Sequence, residues 1–93
     1  MDTRPKTIIC DIDGTLVKHE LPWKNTSASQ KLELLPGTIE KFSDWDSKGY
    51  NIILMTGRKE SLRVNTEKQL SDIGIFYDKL IMGVGGGPRI IIN

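Results

Sequence analysis

A single cysteine, Cys10, rules out an internal disulfide in this 93-residue chain. One histidine, His19, is too few to complete a zinc cluster with it. No apolar run approaches the roughly 20 residues of a membrane span. The leading residues Met1-Asp2-Thr3-Arg4-Pro5 contain no apolar signal region, so a soluble cytoplasmic protein is the expectation. Charge of one sign is missing too. Thirteen Lys and Arg face 12 Asp and Glu, a net charge of +1 with His neutral. That balance predicts neither a general nucleic-acid surface nor a membrane surface. There is no internal repeat. The glycine-rich run from Gly83 to Pro88 opens no helix and lacks the lysine of a P-loop, so it reads as a turn. A chain this short buries a modest core, and self-association is one way to stabilise it; a homo-oligomer is expected.

What is present begins with Thr7-Ile8-Ile9-Cys10, an uncharged, largely β-branched run that predicts a buried strand. Cys10 reads as a small core residue within it. The run ends in Asp11-Ile12-Asp13-Gly14-Thr15. At strand period the two carboxylates project to the same side. Two negative charges so close need a cation between them, or one must hold a proton. Gly14 permits a sharp turn. Open α/β sheets place ligands at the carboxyl ends of their strands, which is where this acid pair falls. A strand ending in a plain polar turn is the alternative, since Asp-Gly is a common turn pair.

From Lys18 to Leu35 the chain is polar and interrupted by Pro22, so a loop is predicted. Trp23 and Lys24 either lie over the acid pair or serve to pin the loop and face water. Pro36 and Gly37 precede a helix whose apolar face is predicted at Ile39, Phe42 and Trp45, closed by Gly49. Tyr50 to Met55 is a second strand, running into Thr56-Gly57-Arg58. Lys59 to Ile73 is a second helix, with Leu62, Leu70 and Ile73 inward and Gly74 as its stop. Arg63 stands one turn into that helix, near the strand ends. Lys79 to Met82 is a third strand and Arg89 to Asn93 a fourth. Strand–helix–strand–helix–strand, with right-handed crossovers, predicts a parallel sheet.

Asp11-Ile12-Asp13-Gly14-Thr15 resembles the DxDGT signature of the haloacid dehalogenase (HAD) superfamily, and Thr56 at the end of the second strand resembles its second motif. The resemblance extends from Ile8 to Asn93. It implies an α/β fold: a Rossmann-like three-layer α/β/α sandwich around a parallel sheet of about four strands. Residues 1–93 would be a single core domain, either minimal or part of a longer chain. The segment between the first two strands is too short for a large cap domain, and a site without a cap suits bulky substrates. Small bacterial sugar-phosphate, capsule and lipopolysaccharide-type phosphatases look most similar.

By that resemblance the activity is Mg²⁺-dependent hydrolysis of a phosphomonoester, with a phosphorylated small molecule such as a sugar phosphate as substrate. Asp11 is then the nucleophile, forming an aspartyl-phosphate, and Asp13 the general acid and base. Thr56, Gly57 and Arg58 would meet the phosphoryl group, while Gly14 and Thr15 shape the turn beneath it. Mg²⁺ would take the Asp11 carboxylate and the Asp13 backbone carbonyl. Two departures stand out. The third-motif cation usually precedes a proline, but Gly87 precedes Pro88 here, which leaves Arg89 as first candidate and Lys79 as second. The fourth-motif acids are replaced by Asn93, expected as a weaker metal ligand. That replacement keeps open a degenerate protein that binds a phosphorylated ligand or partner without turnover. A phosphoacceptor signalling domain fits the second acid less well.

Overall fold

The computed structural model describes residues 2–19 and 31–93. Trp23 and Lys24 lie outside the described residues. The elements run β1 (Thr7–Asp11), α1 (Thr38–Ser47), β2 (Asn51–Met55), a 3₁₀ turn over Glu60–Leu62, α2 (Arg63–Asp72) and β3 (Lys79–Ile81). The sheet order is β1-β2-β3 and both pairings are parallel. In register, Asp11 lies opposite Met55, and Met55 opposite Ile81. All three strands therefore end together, and the segments that follow them share one edge. The expected α/β class and parallel order are what the chain adopts.

Two successive crossovers of the same hand, each moving one strand along the sheet, carry both helices to one face. Burial agrees. Ile52, Leu54 and Leu80 are buried with Phe42 of α1 and Leu70 of α2 in one cluster, and Cys10 packs against it. The opposite face carries Ile9 and Ile81, each about half exposed. The described residues thus build two of the three expected layers. Phe42 is the hub of the helix–sheet seam. Its ring centroid lies 5.1 Å from that of Trp45 and 5.6 Å edge-on from that of Phe76, and such pairs add to area burial.

Two expectations are corrected. Ile39 is exposed, because the inward stripe of α1 is Thr38, Phe42 and Trp45, steps of four and three in place of three and three. Thr38 faces in because its hydroxyl donates to the Leu16 carbonyl, 2.8 Å away, and ties α1 to the turn after β1. The segment 89–93 is not a strand. Ile90, Ile91 and Ile92 are all exposed. β-Branched residues suit a pleated, half-buried surface, and without a pairing edge or a covering layer their preference builds nothing.

No helix among the described residues is long and apolar enough to cross a membrane. The core assignment has a direct test. Phe42→Ala and Leu70→Ala should each lower unfolding free energy by about 2–5 kcal/mol in urea denaturation. Val64→Ala, on the outer face of α2, should stay within about 0.5 kcal/mol of the parent. Equal losses at all three positions would contradict the described seam.

Candidate active site at the strand ends

The turn after β1 is held by one buried residue. Ile12 is fully buried between the two acids. Its carbonyl accepts from the N–H groups of Thr15 (3.2 Å), Leu16 (2.9 Å) and Val17 (3.2 Å), and the Gly14 N–H donates to Val17 O at 2.8 Å. Gly14 sits at φ 82°, a region that resists a Cβ. Asp11 and Asp13 thus leave a rigid hook, not a fraying strand end.

Each acid has its own arginine. One Asp11 oxygen accepts from the Ile12 N–H at 3.0 Å, and the other from Arg89 Nη1 at 2.7 Å. Asp13 is gripped by both edges of a fork, Arg58 Nη2 to Oδ1 at 3.0 Å and Nε to Oδ2 at 3.2 Å. Bidentate geometry of this kind fixes a carboxylate in plane as well as in place. The Arg58 side chain is only 5 % exposed and that of Asp13 19 %. On its far edge, Arg58 Nη1 donates to Thr66 Oγ1 at 3.2 Å and to Gln69 Oε1 at 2.7 Å. Four of the five guanidinium donors are therefore committed among the described residues. Arg58, expected to bind substrate, is turned inward onto Asp13 instead.

The segment beyond β3 completes the edge. Thr56 N–H donates to Ile81 O, Gly83 N–H to Arg58 O and Val84 N–H to Thr56 O, so residues 81–84 run beside 56–58. Thr56 is buried, and its hydroxyl accepts from the Arg58 N–H at 3.1 Å. A Cβ on Gly57 would stand 3.0 Å from the Gly85 carbonyl oxygen. The close approach Gly57 allows is thus to the chain itself. Gly85 O in turn accepts from Arg89 Nη2 at 3.1 Å. The Arg89 Nε is buried and has no partner among the described residues.

Asp11, Asp13, Thr56, Gly57, Arg58 and Arg89 are therefore joined by contacts, with Gly14 and Thr15 in the adjoining turn. Lys79 is not brought in. It opens β3, in register with Ile53, and β2 lies between it and β1. Asn93 closes the irregular, exposed segment 89–93, so no strand presents it to the acids. Among the described residues no group of three acidic, His or Cys side chains is placed to hold a metal. Arg63 pairs with Glu60 and donates to Leu80 O at 2.9 Å, a structural tie between α2 and β3. Thr66 and Gln69 were not anticipated. Their signal was available: two polar residues interrupt the inward face that Leu62, Leu70 and Ile73 define.

Residues 5–85 match the family model described as the polynucleotide kinase PNKP phosphatase domain. No curated protein sequence matches. Two solved chains are similar in both sequence and structure. One, from a "Pnkp1/Rnl/Hen1 complex", is 30 % identical over 96 % of this chain and 32 % of that one, with a TM-score of 0.71. Another, from a "Pnkp1/Rnl/Hen1 RNA repair complex", is 34 % identical over 87 % and 27 %, also with a TM-score of 0.71. The chain thus spans a third or less of the length of these two relatives. D,D-heptose 1.7-bisphosphate phosphatase from B. bronchiseptica, complexed with magnesium and phosphate, has a TM-score of 0.61 at 18 % identity over 87 % and 51 %. That is a likeness of fold.

The packing at the edge makes two predictions. Gly57→Ala should push the 83–87 turn away and cost about 1–3 kcal/mol of stability. Gly86→Ala, with open space at its Cβ, should cost less than about 0.5 kcal/mol; thermal melts that fail to separate the two would refute the contact. Burial, and then the Asp11 charge, push the Cys10 thiol up, so it carries less thiolate at a given pH than a free thiol does. Iodoacetamide should label it more slowly than glutathione near about pH 8. Asp11→Asn should speed labelling by removing the second cause, and no change would exclude the Asp11 charge as a contributor.

Proposed function

The chain belongs to the PNKP phosphatase-domain family of the HAD superfamily, and we propose that it hydrolyses phosphomonoesters with Asp11 as nucleophile. The observation that carries this is the pair of adjacent carboxylates, each matched by a separate arginine at the shared strand edge. Two acids with two cations leave room for the negative charge a phosphate brings. In the first step, which Asp13 enters as the carboxylic acid, an Asp11 carboxylate oxygen bonds to phosphorus as the P–O ester bond breaks, and the leaving oxygen takes that proton. In the second, water loses a proton to Asp13 and attacks phosphorus, releasing phosphate and restoring Asp11. Splitting one displacement into two is the gain from covalent catalysis.

Arg89 is the proposed third-motif cation. It already lies on Asp11, and its Nε–H has no partner among the described residues, so a further acceptor would stabilise the guanidinium. Thr56 accepts through its hydroxyl oxygen, so the hydroxyl proton is the part a phosphoryl oxygen would take. The donor set fits Mg²⁺ in its usual mode, in which the ion keeps several waters and takes one or two carboxylates plus substrate phosphate. The partly exposed Asp11 carboxylate and the Asp13 backbone carbonyl would hold it. The ion would supply charge neutralisation at the phosphoryl oxygens.

The substrate we propose is a phosphate at the end of a polynucleotide. The family name and the RNA repair assemblies of the two relatives support it, as does the lack of a large cap between β1 and α1. The net charge of +1 argued against nucleic acid, but that argument concerns broad electrostatic footprints. A chain end is met by a few groups at one edge. The second reading is binding without turnover; the Arg58 clasp, which occupies both oxygens of Asp13, favours it.

The full chain should release phosphate from para-nitrophenyl phosphate and from phosphorylated oligonucleotides in Mg²⁺. EDTA should abolish release and added Mg²⁺ restore it. Asp11→Asn should lower turnover by at least about 10³-fold. Turnover that survives Asp11→Asn would end the nucleophile assignment. Phosphate-analogue binding without any turnover would establish the second reading.

A further inference from the structure

Thr66 and Gln69 are fully buried polar side chains on the inward face of α2. Polar groups are costly there unless paired. Both direct an oxygen at a single atom, Arg58 Nη1, at 3.2 and 2.7 Å. The other edge of the same planar cation clasps Asp13. A guanidinium is rigid, so what is fixed at one edge is fixed at the other. With its Nη1 acceptors gone, Arg58 would hold unpaired N–H groups in a dry pocket. It would then turn toward water and carry Asp13 with it.

We propose that Thr66 and Gln69 are positioning residues for the reaction, setting through Arg58 the place from which Asp13 delivers its proton. This rests on the phosphomonoesterase reading above. The proton passes from the Asp13 carboxyl to the ester oxygen as the P–O bond breaks, so the demand on Asp13 depends on the leaving group. An alkoxide needs that proton. Para-nitrophenolate leaves without it. A purely structural role for α2 would slow both substrates alike; a positioning role separates them.

The test compares an alkyl phosphate with para-nitrophenyl phosphate, using the full chain in Mg²⁺. Gln69→Leu and the nearly isosteric Thr66→Val should each lower kcat on the alkyl ester at least about tenfold more than on para-nitrophenyl phosphate, with KM within about twofold. Gln69→Glu and Thr66→Ser keep an oxygen facing Nη1 and should restore the ratio. Equal losses on both substrates, or none, would overturn the proposal. A second readout needs no turnover. The Arg58 Nε–H resonance should exchange slowly with water in the parent and fast in Gln69→Leu and Thr66→Val. Unchanged exchange overturns the proposal even if the chain proves to bind without hydrolysing. An inactive parent whose exchange responds as expected removes the hydrolase reading while leaving the Thr66–Gln69–Arg58–Asp13 linkage standing.

Discussion

The buried ion pair between Arg58 and Asp13 is the constraint around which the strand edge is arranged. A guanidinium taken out of water loses several kcal/mol of hydration, and attraction to a carboxylate offsets this only when geometry and remaining donors are satisfied. Here four of the five donors are satisfied from two places, the hook after β1 and the inward face of α2. Removing one partner would leave a charge stranded in a dry pocket, the costly case for buried pairs. The pair therefore binds helix, strand end and hook into a single unit. Arg89, the arginine on Asp11, is more exposed than Arg58.

Local sequence carried much of this. The β-branched run before Asp11, the spacing of Phe42 and Trp45, and the alternation of strands with helices placed five elements in order. Glycine at position 14 announced the turn it makes. What was not legible depends on partners distant in the chain. Arg58 looked like a substrate ligand because it follows Thr56-Gly57; only the fold shows that Asp13, Thr66 and Gln69 surround it. Lys79 looked eligible by charge, but register sets it at the opening end of β3. Ile90, Ile91 and Ile92 had strand chemistry and no pairing neighbour among the described residues.

Family membership and geometry support different parts of the account. The match over residues 5–85 sets the chain among polynucleotide kinase phosphatase domains. The contacts show which side chains are bound to which, and they separate Arg58, on Asp13, from Arg89, on Asp11. Arg89 reaches Asp11 from a turn that Gly57 accommodates, whereas Arg58 is enclosed by α2. One is a quarter exposed at the edge, and the other is enclosed and clasps its acid by two bonds.

Ile12 has a wider consequence. Because the residue between the acids is core, the distance between Asp11 and Asp13 is set by packing and is not open to adjustment. Changing the reach of the chemistry would mean repacking the domain. Diversification of such a site has to come from a segment that approaches the edge without crossing the core: the turn that delivers Arg89. The acid pair is the fixed part, and the approach to it is where new contacts can be made.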